Sequence, residues 1–554
     1  MRNEDMATLQ DGTPALPSSP TLSGENPDLA LDADLEKQLE GSVEQSSTHG
    51  GVASTDGVVK GGELVNGRLP HDDPLNPASW PTGKKIAMLC VWVLSLTYAS
   101  TAYVASLPAL MKRFDVSQEL AIAGVTFTVL GFAAGPLLCA PSSELYGRRA
   151  VYIVCGVFYI AFSWGAAFAN NIGALLVFRF FIGFFGSASI NNVPASVGDF
   201  TVPRTRGPFT VLYAVCAFGG PSIGPLLSAF IEHDAGFRWN LRVMAIFSTV
   251  TSILVAFVPE THHPTLHRWR LAKEAAVEVK PGGWQVIFGV YKQALARPFV
   301  FLFTEPVVLF VSVYLSVLYG VLYVPSVPTP KRRELTRSYR FLHISYGFFE
   351  AFTVVWLEKR HFSITSYGLT YISLGLGFLV GAVGLILVST RAYTKALTAA
   401  QARGQTAIPA EARLTLGYPG AIIVPLSLFL FAFTAPYPLS ELHSSSTRLA
   451  DVHWIVPCIA EFFFGLGVLL VFTAFIPYLT DVYQTHAASA LAAGMASRAL
   501  VGSVFPLFSL QLYHAATVQG ATCLFAGIAC LLAPIPFVFK RKGPELRRRS
   551  MFAA

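Results

Sequence analysis

The feature that most constrains this chain is a series of uninterrupted apolar blocks, many of them about 20 residues long. A helix needs about 20 apolar residues to cross a bilayer, because the hydrocarbon core is roughly 30 Å thick and a helix rises about 1.5 Å per residue. Charged residues make up 13% of the 554 residues, whereas soluble domains carry roughly 25%. The blocks therefore predict an all-α integral membrane protein rather than several soluble domains.

Twelve such blocks follow one another in two sets of six. The first six lie near 85–107, 119–140, 150–169, 173–193, 207–231 and 241–258. The second six lie near 299–323, 366–388, 418–437, 453–477, 488–512 and 518–539. This pattern predicts twelve transmembrane helices arranged in two six-helix halves.

Polar segments divide the chain around these blocks. Residues 1–83 are polar and lack the apolar core of a signal peptide, so we expect a disordered cytosolic N-terminal tail. Residues 84–258 and 298–539 are the two predicted halves, and the polar stretch 259–297 between them is the predicted cytosolic linker. Residues 540–554 form a short basic tail, also predicted to be cytosolic.

Lysine and arginine set the predicted orientation. They concentrate in the loop after the second block, in the linker and in the C-terminal tail, and loops rich in these residues stay in the cytosol. Both termini are therefore predicted to be cytosolic, which is consistent with an even number of spans. The net charge of +7 does not indicate nucleic-acid binding, because the basic residues flank the apolar blocks.

The fourth and tenth blocks share a short motif. The fourth contains Arg179-Phe-Phe-Ile-Gly183 and the tenth contains Glu461-Phe-Phe-Phe-Gly465, so each places a charge four residues before a glycine on one helix face. Transporters that rock between two repeated halves carry such internal symmetry and bind their substrate between the halves. The motif falls at corresponding spans, which favours a transporter with two related halves.

Charged residues inside the blocks are the first functional candidates, because each costs at least about 2.5–3.5 kcal/mol at the centre of a helix. The deepest are Arg179, Glu461 and Arg498, and Glu305 lies nearer the cytosolic end of the seventh block. One interpretation is that they form buried ion pairs that fix helix packing. The other is that they line a cavity, where a buried carboxylate can hold or release a proton. The candidates for proton coupling are Arg179, Glu305 and Glu461.

The short loop after the second block is a candidate gate. It carries Glu144 and the run Gly147-Arg148-Arg149. The loop is either an ordinary positive-inside turn or a gate in which Glu144 gains and loses a charged partner between two conformations. The candidate gate residues are Glu144, Gly147, Arg148 and Arg149.

The fifth block combines glycine with proline, which predicts a kinked or closely packed helix that serves as a hinge. The candidate hinge residues are Gly220, Pro221, Gly224 and Pro225. Aromatic residues are frequent in the blocks and suit an apolar or aromatic cargo better than sugars or ions. The candidate cavity residues are Tyr98, Tyr103, Phe218, Tyr314 and Arg498.

The sequence lacks the motifs of nucleotide, metal and covalent chemistry. It has no G-x-x-x-x-G-K-[ST] stretch, so ATP is not the expected energy source. The seven cysteines show no paired zinc spacing, and the pair His262-His263 in the linker is interpreted as solvated loop. We expect no metal, no cofactor, no enzyme activity and a monomeric protein.

Taken together, the motifs resemble the major facilitator superfamily and, within it, the fungal drug:proton antiporters with twelve spans. The resemblance covers about residues 71–550. Leu175, Arg179 and Gly183 are similar to the family's pattern in the fourth span, whose arginine the family ties to proton coupling, and the fifth-span run is similar to its antiport motif. Further likenesses are Asp73 to Asn76, Glu144 to Arg149, Pro259 to Thr261, Glu305-Pro306, Pro409 to Leu414 and Ala488 to Ala493. The chain departs from the family's pattern at Ala140, Leu145 and Ile182.

The resemblance implies proton-driven export of small hydrophobic compounds across a fungal plasma membrane by alternating access. Drugs, toxins or secondary metabolites are the implied cargo, and the implied partners are this cargo, protons and the lipid bilayer. The main alternative is a proton-coupled importer or uniporter of a nutrient or polyamine, which the direction of flux would separate from an exporter. A receptor, a scaffold and a membrane-bound enzyme are weaker alternatives, since the sequence shows neither a signalling domain nor a catalytic constellation.

An insert interrupts the seventh block. Residues 324–345 contain three prolines and six charged residues, five of them basic, and so cannot lie in hydrocarbon. The resemblance would join Tyr323 nearly directly to Phe348. We expect the insert to be a translated retained intron or gene-model error, absent from the working protein. The alternative is a genuine outer loop.

Overall fold

The computed structural model shows helices as its regular elements throughout the described part of the chain. The described residues are 69, 73–81, 83–201, 206–275, 284–322, 355–356, 360, 362–401, 410–434, 452–483, 487–548 and 550. The predicted disordered tail and the insert 324–345 lie outside these residues, apart from a few positions before residue 84.

The N-terminal half consists of seven α-helices, of which the first two form one span through the 3₁₀ turn Tyr103–Ser106. Small and apolar residues fill these helices, and polar or glycine residues cap their ends, such as Ser117, Asn171 and Gly236. The helices are α1 Gly83–Ala102, α2 Leu107–Phe114, α3 Gln118–Leu145, α4 Arg148–Phe168, α5 Ile172–Phe200, α6 Arg206–Ala235 and α7 Phe237–Ala256.

The linker and the C-terminal half contribute the remaining helices. In this part the helices are α8 His263–Ala275, α9 Trp284–Thr304, α10 Pro306–Leu322, α11 Ile364–Gln401, α12 Tyr418–Thr434, α13 Ile455–Val482, α14 Ala487–Leu532 and α15 Ile535–Arg548. The predicted linker is therefore largely helical where it is described, because α8 and the start of α9 occupy it.

Ten segments of the described chain are long and apolar enough to cross a membrane. The bent pair Leu295–Thr304 and Pro306–Tyr319 makes an eleventh when counted as one span, and Ala490–Val504 is a shorter apolar helix at the position of the predicted eleventh block. Large apolar side chains such as Phe303 and Leu531 lie exposed on the outside of the helices, as lipid-facing residues do. The all-α membrane fold is confirmed, with the twelve-helix count visible in part.

Two helices differ from their predicted form. The seventh span bends by 96° between Thr304 and Pro306, because proline lacks a backbone donor and disfavours helical geometry in the residue before it. By contrast, α14 continues through the turn predicted between residues 512 and 518. That stretch contains neither glycine nor proline, so nothing in it interrupts the backbone hydrogen bonds.

The chain divides into two compact units. The larger, Gly62–Arg270 with Glu278–Ala554, contains all the candidate membrane spans found in the described residues. Within it α3 packs extensively along α5 and α11 packs extensively along α13, so the two halves share a helix crossing of the same kind. The halves meet where α6 packs on α11 and where α14 packs on α3. In the smaller unit, Met1–Gly61 with Leu271–Val277, the described residues are the last ones of α8.

Candidate transport site

The crossing of α3 and α5 depends on two glycines. A Cβ on Gly183 would collide with the backbone carbonyl of Thr128, and a Cβ on Gly131 would collide with the carbonyl of Phe180. Glycine is therefore required on both helices for their backbones to approach this closely. This contact places Arg179, four residues before Gly183, against α3 and α1.

The crossing of α11 and α13 repeats this arrangement. A Cβ on Gly465 would lie 2.7 Å from the carbonyl oxygen of Leu374, and a Cβ on Gly377 would collide with the carbonyl of Phe462. The geometry is the same in both halves. Each glycine faces a backbone carbonyl on the other helix, and that carbonyl belongs to the residue three positions before the other helix's own glycine. The five-residue motif noted in the sequence thus supplies one of the two helices at each crossing. Glu461 lies at the position in the C-terminal half that corresponds to Arg179 in the N-terminal half.

Arg179 is held by three backbone carbonyls. Its Nη1 and Nη2 donate to the carbonyls of Ala99 and Ser100 on α1, at 2.8 and 3.2 Å, and its Nε donates to Gly124 on α3 at 3.1 Å. The guanidinium also lies over the ring of Tyr103, 4.2 Å from its centroid. Among the described residues no carboxylate forms an ion pair with this buried cation. Arg179 is therefore a fixed positive charge, since arginine does not lose its proton in proteins.

Glu461 is held by two neutral donors. Its carboxylate accepts from the indole Nε1 of Trp356 at 3.1 Å and from the Oγ of Ser373 at 2.5 Å. The side chain is fully buried, and none of the cations in the described ranges pairs with it. A serine hydroxyl can also accept a hydrogen bond, so this environment satisfies both the ionised and the protonated carboxyl group.

Glu305 lies elsewhere. Its carboxylate accepts from the hydroxyl of Tyr483 at 2.9 Å, just beyond the end of α13. Glu461 is near the start of the same helix, and 22 residues of helix span roughly 33 Å. The structure therefore places two of the proton-coupling candidates, Glu305 and Glu461, at opposite ends of α13 rather than in one site.

The basic end of the N-terminal half, predicted to be cytosolic, carries the candidate gate. Arg148 lies 3.6 Å from Asp199 at the end of α5 and donates to the Oγ of Ser143 at 2.5 Å. Glu144, the predicted partner, is exposed, and its backbone carbonyl accepts from Arg268. Arg148 therefore forms an ion pair with Asp199, and the negative charges of Glu144 and Glu260 also act on it.

A second carboxylate caps the helix that begins at Arg148. Both oxygens of Glu260 accept from backbone N–H groups, those of Arg148 and Arg149 at 2.8 and 3.0 Å and those of Thr261 and His262 at 2.9 Å. Gly147 has a φ of +93°, and a Cβ there would collide with Glu260. The candidate gate residue Gly147 is therefore required both for its backbone conformation and for this contact.

Of the linker histidines, His263 is buried and His262 is half-buried. His263 is 4% exposed and accepts a 3.4 Å hydrogen bond from the backbone N–H of Leu69. His262 packs at the same end, where burial and the charges of Arg148 and Arg268 hold its pKa well below its ordinary value. The interpretation of this pair as solvated loop is wrong, because α8 folds back against the basic end.

The C-terminal half has a corresponding basic end. Arg413 forms an ion pair with Asp481 at 2.6 Å, and Arg547 forms one with Glu411 at 3.0 Å. Asp481 follows Glu461 by twenty residues, the same spacing by which Asp199 follows Arg179. The two halves therefore share an ion pair at their basic ends as well as a glycine crossing.

The hinge residues lie in a close helix contact. A Cβ on Gly220 or on Gly224 would collide with the hydroxyl of Thr97 or Thr101 on α1. Thr97 also donates to the carbonyl of Cys216 at 3.2 Å. Helix α6 runs unbroken through Pro221 and Pro225, so the run serves helix packing in this conformation.

The candidate cavity residues fall into two groups. Tyr98 packs edge-on against Phe247, and Tyr103 lies beneath Arg179, so both are inside the N-terminal half. Phe218 contacts Phe378 and Phe472 across the boundary between the halves, with ring centroids 5.9 and 4.6 Å apart. The second group therefore lies where a substrate site between the halves is expected.

Of the two remaining candidates, Arg498 belongs to this second group and Tyr314 does not. Tyr314 packs edge-on against Phe475, 5.6 Å between centroids, inside the C-terminal half. The guanidinium of Arg498 lies 5.4 Å from the centroid of the Phe472 ring, the ring that Phe218 also contacts. Arg498 and Phe218 thus approach one aromatic side chain from different halves.

The sequence profile of the Major Facilitator Superfamily matches residues 87–506. The chain belongs to the major facilitator superfamily. Members of this family are membrane transporters of small molecules rather than enzymes. The predicted family, fold and non-enzymatic nature are therefore confirmed.

Several relatives cover most of the chain. It is 35% identical over 495 residues to the efflux pump FUBT of Fusarium oxysporum, covering 87% of this chain and 77% of that protein. It is 33% identical over 522 residues to the major facilitator-type transporter sorT of Penicillium rubens, covering 90% and 92%. The multidrug transporter mdrA of Aspergillus fumigatus is 32% identical over 497 residues, covering 87% and 75%.

Among solved structures, the chain is similar to the proton:xylose symporter XylE. The TM-score is 0.56 at 13% sequence identity, covering 83% of this chain and 95% of that one. At this identity the likeness supports the fold of the family and carries no information on the cargo.

Proposed function

We propose that this protein exports small hydrophobic compounds in exchange for protons, working by alternating access in a plasma membrane with both termini in the cytosol. The observation that carries the proposal is the environment of Glu461, a fully buried carboxyl group whose partners among the described residues are the neutral donors of Trp356 and Ser373. Such a group can bind a proton on one side of the membrane and release it on the other without leaving an unsatisfied partner.

Arg179 has a different role in this proposal. Its three carbonyl partners hold it in place, and its charge is permanent. Of the predicted coupling residues, Glu461 is thus the proton carrier and Arg179 a fixed charge. Glu305, at the far end of α13, contributes to the basic end instead.

The direction of transport is inferred from the relatives. FUBT is an efflux pump and mdrA a multidrug transporter, which favours export of hydrophobic cargo by this chain over the import of a nutrient or polyamine. The aromatic contacts of Phe218 with Phe378 and Phe472 also suit an apolar cargo.

The test is the accumulation of fluorescent hydrophobic compounds in yeast that lacks its own pumps. We expect the wild type to lower accumulation, and we expect a protonophore and Glu461→Gln each to abolish the difference. Glu119→Gln, a matched change at an exposed glutamate, should leave export intact. Increased uptake by a protein that reaches the cell surface would contradict the export proposal and favour the importer.

A further inference from the structure

Arg498 is a buried cation whose hydrogen-bonding capacity is largely unused. It is 8% exposed, its Nε has no hydrogen-bond partner, and its Nη2 donates only to the thioether sulfur of Met495, at 3.3 Å. Thioether sulfur is a weak acceptor. Within the described ranges no carboxylate pairs with Arg498, which distinguishes it from Arg148, Arg413 and Arg547.

Two serine hydroxyls on α10, the Oγ atoms of Ser312 and Ser316, are also buried without a hydrogen-bond partner among the described residues. A Cβ on Gly494 of α14 would lie 3.5 Å from the Oγ of Ser312, and α10 and α14 pack along each other. Ser316 follows Ser312 by one helical turn, as Arg498 follows Gly494, so Arg498 and the two hydroxyls occupy one region of the α10–α14 contact.

Buried polar groups without partners are rare in folded proteins, and a buried unpaired charge is the most costly of them. The other two deep charges, Arg179 and Glu461, have their partners supplied by the protein. Within the described part of the chain, Arg498 therefore lacks a strong acceptor, which a bound ligand can supply. A carboxylate satisfies the charge of a guanidinium as well as its donors, and such charge-assisted hydrogen bonds are roughly twice as strong as neutral ones.

We propose that Arg498 binds the anionic group of the cargo, and that the cargo is a small apolar organic anion such as an aromatic carboxylate. This inference rests on the proposed export function and specifies its substrate class. The carboxylate accepts from the Nε and Nη2 of Arg498 in place of the weak contact with Met495, and Ser312 and Ser316 supply further hydroxyl donors. Bidentate contact of this kind is the arrangement that arginine favours with carboxylates.

The aromatic residues beside Arg498 suit the apolar part of such a cargo. Phe472 lies under the guanidinium, and its ring contacts Phe218 from the other half. A cargo that replaces the contact between these two rings touches both halves at once. Because the halves rock about a site between them, a cargo bound there can be exposed first to one side of the membrane and then to the other.

The first test needs no ligand. We expect Arg498→Gln to raise the melting temperature of the purified full-length protein by about 2 °C or more, since it removes an unpaired buried charge. Arg541→Gln, a change in the exposed basic tail, should leave the melting temperature unchanged. A fall in the melting temperature of Arg498→Gln would overturn the proposal, because Arg498 would then be a structural residue.

The second test compares three probes that share a naphthalene ring: 1-naphthaleneacetate, 1-naphthaleneacetamide and 1-naphthylmethylammonium. We expect the acetate to bind the wild type at least about tenfold more tightly than the other two, as charge-assisted hydrogen bonds imply. Arg498→Gln should lose this preference, and Arg498→Lys should keep part of it. Inorganic phosphate, which lacks the apolar body, should bind weakly.

Equal or tighter binding of the ammonium probe would overturn the proposal, as would acetate binding that survives Arg498→Gln. Failure of the acetate to bind the wild type would overturn it as well. These outcomes are distinct from failure of the export function. A protein that exports neutral or cationic dyes in a proton-dependent way, yet shows no preference for the acetate, would retain the proposed function and lose only the anionic substrate class.

Discussion

The α3–α5 crossing of the N-terminal half and the α11–α13 crossing of the C-terminal half use matching glycine contacts but hold opposite charges. Arg179 is bound by backbone carbonyls, which are present whatever the side chains of α1 and α3 are. Glu461 is bound by the side chains of Trp356 and Ser373. The comparison indicates that one scaffold supports a permanent charge in one half and a titratable group in the other.

The largest expected difference between the two crossings comes from neutralising the charges. Arg179→Gln leaves three buried carbonyls without their donors, so we expect it to lower the free energy of unfolding by about 3 kcal/mol or more. Glu461→Gln keeps an acceptor for Trp356 and should change stability by less than about 1 kcal/mol. Melting curves of both variants test this, with Arg113→Gln at an exposed position as the control. Equal losses in both variants would show that the two charges play the same structural part.

A second comparison concerns the glycines. Gly183→Ala and Gly377→Ala place a methyl group against a backbone carbonyl, and we expect each to cost about 1–3 kcal/mol of stability. Gly198→Ala in α5 and Gly384→Ala in α11 are matched controls, because a Cβ at either position meets nothing within 4 Å. The controls should be neutral or slightly stabilising. If only one of Gly183→Ala and Gly377→Ala lowers the stability, the two crossings do not depend on glycine in the same way.

The fold and one helix of each crossing could be predicted from the sequence, but the helix that packs against it could not. The runs Arg179 to Gly183 and Glu461 to Gly465 marked α5 and α13, whereas Gly131 and Gly377 carry no local sign of the helix they approach. Asp199 and Asp481 were not predicted as site residues, although each follows the charge of its motif by the same number of residues. Counting onward from the repeated motif would have found both.

Other contacts could not be read from the sequence because they join distant segments. Glu260 caps a helix that begins 112 residues earlier, and Trp356 contacts a carboxylate 105 residues later. Hydropathy patterns record which residues avoid water, and they carry no information on which distant helix each one touches. The burial of His263 and the partial burial of His262 have the same origin, since they depend on where the start of α8 packs.

Removing the aspartates at the basic ends of the two halves should lower the free energy of unfolding by less than the glycine substitutions do. Asp481→Asn removes an ion pair of 2.6 Å and Asp199→Asn removes one of 3.6 Å, so we expect losses of roughly 1 kcal/mol and less, in that order. Melting temperatures of the two variants check the order. A larger loss from Asp199→Asn would mean that Arg148 depends on this aspartate more than on Ser143.

The smallest expected effect is a pH response confined to the N-terminal half. Burial and neighbouring cations hold the pKa of His262 below its ordinary value, so the folded protein favours the neutral ring. The contribution of the neutral His262 ring to the free energy of unfolding is fully present above pH 6.5, the ordinary pKa of histidine. It decreases as the pH falls below that value, because the unfolded chain then binds a proton that the folded protein does not.

Hydrogen–deuterium exchange at pH 7.5 and pH 5.5 measures this response. After correction for the intrinsic amide exchange rate at each pH, the exchange of residues 258–270 should rise at the lower pH, and that of residues 410–417 at the other basic end should not. His262→Gln should remove the rise. A rise that persists in this variant would assign the pH response to another group.

The assignment of the proton to Glu461 is tested most directly by counting protons when cargo binds. Purified protein in weakly buffered detergent solution, with a pH-sensitive dye, should release protons on addition of a transported compound. We expect Glu461→Gln to abolish this release while Glu305→Gln keeps it. Release that persists in Glu461→Gln, or that disappears only in Glu305→Gln, would contradict the account and move the coupling site to the other end of α13.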